Sequence, residues 1–498
     1  MAMWKQFATL GILASGMMAP ACLAETPEDG AVKAAFAKVV SAYKANHCDQ
    51  ALALLTKPAL AEPLKSASDE IRFGADTIGA ECALRSEQPA LALTYAMAGT
   101  ALPNASAFLW AVRIYGLTST GDLAEAVATV ERMAKAAPGA LNEVSARVFY
   151  DLLRDLKDKG EPALRRRLLK VLADPGYAPV SPAETADPFL SFYATTLAED
   201  GNGSGAAALL ARITSPGLLI KASLDSRLRS FVPADFDAHA AVERDIARLR
   251  DVAAAHPDYL KPAIYLAEDY LLLGEGEKAL LVLQDVRPDR ADGLKYADQD
   301  SQTNWWWNAE AEAYKALNRY DEARAAYRGG VALGENGMPN VSQTINLAET
   351  QIGFSHFADA LQTLEPLIAA KTSASLYGRI QMLTAHGCAS FMVGKKDAAN
   401  ADLDFVRANR AVAPRALVTL LLCMGDTDGA VASQIQRLDS TEERAPALQE
   451  LSDYAPTPPY VHKTYWQVGI EAMKSRPDIQ AAIARAGGIR RFNIPFQD

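Results

Sequence analysis

Glu268, Glu312 and Glu349 each follow directly on an alanine (Ala267, Ala311, Ala348), and each precedes a second alanine (Ala279, Ala323, Ala360) by the same interval. A carboxylate fixed in a recurring element can line up with its counterparts, and such a line receives Lys or Arg side chains through charge-assisted hydrogen bonds. Cysteine pairing is the second chemistry on offer. Cys48, Cys82, Cys388 and Cys423 form an even set downstream of Cys22, and a bond forms where two of them meet in suitable geometry. Hydrolytic patterns are missing: the six histidines are scattered, no HExxH or GxSxG occurs, and His386 and Cys388 stand two apart, which a helix turns to different faces. Gly274-Glu275-Gly276-Glu277-Lys278-Ala279 spells GxGxxA. Dinucleotide binding needs a strand before the first glycine, whereas Glu268 and Asp269 there follow helical spacing. No metal and no cofactor is expected.

The elements that hold these residues are helices. Ala and Leu crowd almost every segment and only 8% of the chain is aromatic, a composition that favours helix over strand. Runs of Val, Ile and Thr with period-two alternation are nearly absent, so the fold class expected is all-α. At 498 residues the chain exceeds what one core organises, and it must be modular. Its net charge of −10, with no basic patch interleaved with aromatics, argues against nucleic acid. A protein or peptide partner of basic character suits that field.

Residues 1–24 read as a secretory signal peptide, with Lys5 at the start, an apolar stretch from Phe7 to Met18, and small residues at Cys22 and Ala24 where a signal peptidase reads. Cleavage after Ala24 removes Lys5 and moves the net charge from −10 to −11. The alternative is a lipoprotein acylated at Cys22 in the outer membrane. No later run approaches the length of a membrane span, and the location expected is the periplasm. Export places the remaining cysteines in an oxidising compartment.

Three segments share one form: LAEDYLLLGEGEKALLVL around Ala279, AEAEAYKALNRYDEARAAY around Ala323, and LAETQIGFSHFADALQTL around Ala360. A small residue and an apolar turn lead to a polar break, and a second apolar helix opens on Ala. This resembles the tetratricopeptide repeat, a helix-turn-helix unit with small residues at positions 8 and 20, a large one at 11 and often Trp at 4. Ala267, Tyr270, Gly274 and Ala279 take positions 8, 11, 15 and 20 of one copy; Trp307, Ala311, Tyr314, Asn318 and Ala323 take 4, 8, 11, 15 and 20 of the next. Ala348 and Ala360, then Gly387, Gly394 and Ala399, then Gly425 and Ala430 continue the series, and Trp110, Gly121, Ala126 and Pro138 give an earlier copy. The resemblance is strong over 258–437, fair over 31–138 and weak elsewhere. It implies a right-handed solenoid of helix pairs, either one bent superhelix or two segments. The divisions expected are a signal peptide at 1–24, an N-terminal array at 25–174, a Pro- and Gly-interrupted connector at 175–257 with a hinge at Gly201–Gly205, a C-terminal array at 258–455, and a capping segment at 456–498. Arg287 to Gln302, polar and rich in Asp, reads as an extended loop.

The resemblance also implies that positions 2, 5, 9, 12 and 13 of each first helix face a concave groove. Position 9 is Glu268, Glu312 and Glu349, which places the carboxylates in one row. Trp305 at position 2 stands beside the row, and position 5 holds Ile264, Asn308 and Ile345. Trp305, Trp306 and Trp307 cannot all face one core, because successive helical residues step about 100°. The plain alternative makes the glutamates a solvated face and tucks the extra Trp under the 287–302 loop. The family's carboxylate clamp is not reproduced. Cys48 and Cys82 fall at one rim of the solenoid, where a disulfide is expected, whereas Cys388 and Cys423, at positions 9 and 13 of neighbouring helices, sit about a turn apart and are expected to stay separate. The function expected is an exported scaffold for protein–protein interaction in the cell envelope and not an enzyme. The alternative is an envelope enzyme with a helical superstructure acting on glycan or peptidoglycan, which keeps a glycan among the ligands considered.

Overall fold

The computed structural model describes residues 27–289, 293, 295–334, 340–369, 374–456 and 464–495. The expected signal peptide at 1–24, with Cys22 of the lipoprotein alternative, part of the 287–302 loop and the last three residues lie outside them. The chain divides into two compact units between Tyr193 and Ala194.

The first unit holds helices α1 (Pro27–Lys44), α2 (Cys48–Leu55), α3 (Pro58–Leu64), α4 (Asp69–Arg85), α5 (Pro89–Gly99), α6 (Ala107–Thr120), α7 (Leu123–Ala136), α8 (Pro138–Glu143), α9 (Ala146–Asp158) and α10 (Pro162–Leu172). Helix α11 (Asp187–Glu199) contains the division. The second unit continues with α12 (Gly203–Leu210), α13 (Pro216–Leu224), α14 (Ala238–Ala255), α15 (Lys261–Leu272), α16 (Gly276–Asp285), α17 (Gln299–Ala316), α18 (Tyr320–Ala332), α19 (Val341–Gly353), α20 (Phe357–Ala369), α21 (Leu376–Met392), α22 (Lys396–Ala408), α23 (Pro414–Cys423) and α24 (Thr427–Asp439). It ends with α25 (Arg444–Leu451), strand β1 (Asp453–Ala455), α26 (Tyr465–Lys474), α27 (Pro477–Ala486) and strand β2 (Arg491–Pro495).

One backbone feature sets the repeat. A residue with positive φ recurs five places before a buried alanine: Asn46 before Ala51, Glu87 before Ala92, Gly121 before Ala126, Gly201 before Ala206, Gly274 before Ala279, Asn318 before Ala323, Ser355 before Ala360, Gly394 before Ala399 and Gly425 before Ala430. The left-handed residue ends the first helix and reverses the chain. The alanine then sits where the second helix crosses the first, and its small side chain lets the two backbones close. The fold is therefore a tetratricopeptide-like solenoid of helix pairs. It includes pairs that the sequence pattern leaves faint, α1 with α2 and α4 with α5, whose turns use Asn46 and Glu87 instead of glycine.

Ala323 is fully buried, so Ala323→Trp overfills the crossing of α17 and α18. The expected cost is about 1–3 kcal/mol, read as a lower melting temperature; an unchanged melting temperature would contradict the register.

In the first unit the proline-rich segment packs inward and does not hang between domains. Phe149 meets Tyr177 and Phe189 edge-on, at centroid distances of 5.9 and 6.3 Å, and Tyr150 stacks on Phe189 at 5.0 Å. The glycine run at 201–205 leads into a helix. Gly203 opens α12, and the Asn202 side chain caps it by accepting from the Gly205 amide at 3.0 Å. The loop after α16 is also shorter than its polar composition implies, because α17 is already helical at Gln299. The Asp298 carboxylate just before it accepts from the amides of Leu260 and Lys261, at 2.8 and 3.0 Å, and so satisfies the start of α15.

The chain end does more than cap the last pair. Helices α26 and α27 pack on α23, α24 and α25, but β2 pairs in parallel with β1 and then reaches α14. Phe492 and Ile494, on one face of β2, are both buried.

Candidate functional site

Within the second unit the first helices α15, α17 and α19 carry the glutamate row. The alanines beside it, Ala267, Ala311 and Ala348, are fully buried, which fixes the direction of the residue after each. Glu268 is exposed to water, yet burial among surrounding protein pushes its carboxyl up to about 7, with the Glu312 carboxylate adding to the effect. No hydrogen bond or ion pair holds Glu268 among the described residues.

Glu312 is committed instead. It accepts a short hydrogen bond from the hydroxyl of Tyr327 on α18, and Lys315 Nζ lies 2.6 Å from its other oxygen. Tyr327 is fully buried, and burial, Glu312 and Glu349 together drive its hydroxyl far above the usual phenol range. Glu349 is exposed and completes the row on α19. Glu268 and Glu312 thus lie within electrostatic reach of each other, and the Tyr327 hydroxyl lies within reach of Glu312 and Glu349. Glu312 is paired with Lys315, one turn on in its own helix.

Asn308 is half-buried and accepts from Asn346 Nδ2 at 2.7 Å, which ties α17 to α19 beside the row. Trp305 is 49% exposed. Its neighbours are taken: Trp306 is buried and donates to the Leu283 carbonyl at 3.2 Å, and the Arg287 guanidinium covers Trp306 and Trp307 at 4.9 and 5.7 Å. The loop residue therefore shields two tryptophans and leaves the third to solvent.

Sequence reasoning missed a second acidic feature next to the row. Asp245 on α14 and Asp269 on α15 are both buried, and Arg248 Nε holds Asp245 at 2.5 Å. Burial first and the neighbouring Asp245 carboxylate second push the Asp269 carboxyl well above the usual carboxylate range. No motif announces this pair, because it forms only when α14 packs on α15.

The cysteine expectations divide. Cys48 and Cys82 are joined, with Cα atoms 4.8 Å apart. Cys388 and Cys423 are joined as well, at 5.6 Å, which corrects the expectation that they stay separate. Gly387 lies beside this bond in a tight contact, where a β-carbon would stand 3.1 Å from Asp402 Cβ and 3.2 Å from Leu420 Cδ1. The bond continues the position-9 row where a fourth glutamate would stand.

A smaller cleft of about 180 Å³ is lined by Leu361, Glu365, Ile368, His386 and Lys395, and His386 Nδ1 lies 2.6 Å from Asp402 Oδ2. Its lining includes no serine, threonine or cysteine to act as nucleophile. Among the described residues no group of three or more His, Cys, Asp or Glu could hold a metal ion, and no helix is long and apolar enough to cross a membrane.

No family model matches the chain, and no curated protein matches it. Among solved structures it is similar to yeast Tom70, at 12% identity over 92% of this chain and 99% of that one with a TM-score of 0.31. It is similar to the APC/C hetero-tetramer Cut9–Hcn1, at 14% identity over 92% and 90% with a TM-score of 0.28. A third likeness is to Acl4, the assembly chaperone of RpL4, at 14% identity over 74% and 99% with a TM-score of 0.26.

Proposed function

We propose that this chain is an exported protein-interaction scaffold whose second unit takes a Lys- or Arg-bearing segment of a partner protein along the inner face of α15, α17 and α19. The observation that carries the reading is Glu268, an exposed carboxyl with no hydrogen bond or ion pair among the described residues, whose pKa its surroundings raise to about 7. A carboxyl in that state gains most from an incoming cation, which restores the charge that its surroundings oppose. Trp305 supplies an exposed aromatic beside the charges, the composition of a binding hot spot. The two disulfides support an oxidising compartment for the chain. The envelope location follows from residues 1–24, and a mature N-terminus at Glu25 would separate the periplasmic form from one acylated at Cys22.

The test uses a fluorescent peptide of alternating Lys and Ala. Changing Glu268, Glu312 and Glu349 together to Gln is expected to weaken its binding at least tenfold, with helical content unchanged by circular dichroism. Equal affinity in the triple variant would sink the reading. The pH dependence has a definite sign. A bound cation lowers the Glu268 pKa below its free value of about 7, so binding is at full strength above pH 7 and weakens as pH falls through the range below it. Added salt weakens it further.

A further inference from the structure

The geometry points to Cys48 as a thiol-exchange site: an external dithiol opens the Cys48–Cys82 bond of the first unit by attacking Cys48 Sγ, whereas the Cys388–Cys423 bond is closed to such attack. Exchange needs a thiolate to reach one sulfur of the bond, so access on at least one side decides whether it happens. The two bonds differ in this respect. Cys388 and Cys423 are both buried, at 0% and 8% exposure. Cys82 on α4 is also fully buried, but Cys48 is half-buried and lines a cleft of about 550 Å³ together with Asn46, His47, Arg85 and Ser86. One member of the first bond therefore meets the surface while its partner stays inside.

The surroundings of Cys48 suit this chemistry. Asn46, with a φ of 61°, turns the chain after α1, and Cys48 follows as the first residue of α2. His47 makes no side-chain bond to the first amides of that helix. Those amides favour negative charge, both on an incoming thiolate and on the one that Cys48 becomes. The Arg85 guanidinium brings a cation to the same cleft, donating to Asn46 Oδ1 at 2.6 Å and Glu81 Oε1 at 2.5 Å. The Ser86 hydroxyl donates to Asp49 Oδ1 at 3.1 Å. These polar bonds join the start of α2 to the end of α4 without the sulfurs, and Ala51, Leu52 and Leu55 of α2 share an apolar core with Ala80 and Ala83 of α4. The two cysteines thus stay close enough to pair again after the bond is opened.

In the exchange, one thiolate of the dithiol attacks Cys48 Sγ. The Cys48–Cys82 bond breaks, its electron pair leaves on Cys82 Sγ, and a mixed disulfide forms at Cys48. The reagent's second thiolate then attacks its own first sulfur and releases Cys48. Two electrons and two protons pass from the dithiol, now a disulfide, to the two cysteines. In the reverse direction the Cys48 thiolate attacks an external disulfide and Cys82 resolves the mixed bond.

The test uses the full chain with Cys22→Ser, folded and oxidised. It is incubated in dithiothreitol without denaturant, quenched at intervals in urea with excess N-ethylmaleimide, and mapped by peptide mass spectrometry. Cys48 and Cys82 are expected to be alkylated together and at least tenfold faster than Cys388 and Cys423. Equal rates, or earlier opening of the Cys388–Cys423 bond, would overturn the site. A second comparison identifies the sulfur attacked. Cys82→Ser, which leaves Cys48 free, is expected to form a mixed disulfide with oxidised glutathione at least tenfold faster than Cys48→Ser, which leaves Cys82 free. Circular dichroism checks that both variants fold. Equal uptake, or faster uptake at Cys82, would overturn the role given to Cys48.

Discussion

Arg437→Met is expected to destabilise the second unit by about 3–5 kcal/mol, the largest effect of any single substitution considered. Arg437 on α24 is 4% exposed. Its guanidinium reaches Glu450 on α25 through two nitrogens, at 2.6 and 2.9 Å, Gln434 at 2.9 Å and Glu443 at 3.2 Å. Removing the cation leaves Glu450 nearly buried, with Arg415 at 3.7 Å as its remaining charge, and a buried carboxylate without its partner costs far more than the pair contributes. The companion experiment separates these effects. Arg437→Met with Glu450→Leu removes both charges, and most of the lost stability is expected to return. Urea unfolding of the three proteins decides it; a double variant no more stable than the single one would show that the ion cluster itself, and not the orphaned charge, holds α24 to α25.

Loss of either disulfide is expected to cost about 3–4 kcal/mol, because each closes a loop of some 35 residues and its removal returns that freedom to the unfolded chain. The bonds span 34 and 35 residues in sequence and lie in different units. Cys48→Ser/Cys82→Ser is therefore expected to lower the thermal transition of the first unit, and Cys388→Ser/Cys423→Ser that of the second, each leaving the other in place. Calorimetry reads both transitions. If both pairs of substitutions shifted one common transition, the two units would not unfold independently.

The fold was legible wherever the turn and the crossing used residues that advertise themselves. Gly274 with Ala279 and Gly394 with Ala399 spell the repeat directly. The pair α9 and α10 has Gly160 at its turn but Arg165 where the alanine would stand, and its cohesion comes from Phe149, Leu152, Leu156 and Leu169 in the core, which periodicity alone does not tie to any repeat. The candidate site divides in the same way. Its row follows from a fixed offset and could be read. That Tyr327 and Lys315 already engage Glu312 depends on which way a second-helix side chain turns, and Asp245 meets Asp269 only across a helix contact whose geometry the linear order does not hold. The Cys388–Cys423 bond was missed because axial position was counted along ideal parallel helices, whereas the packed pair brings the two Cα atoms to 5.6 Å.

An open array of helix pairs gains stability one neighbour at a time, so it can fray from either end and fold from anywhere. The second unit is built otherwise. Asn493 and Asp237 are bound across a sequence separation of 256, and Arg444 reaches Ser226 across 218. Such contacts demand that nearly all the intervening chain be in place before they form, which raises the unit's contact order and slows its folding. In return the terminal pairs lose their freedom to fray, and strand β2, paired with β1 and reaching α14, is where the unit's late and early elements lock together.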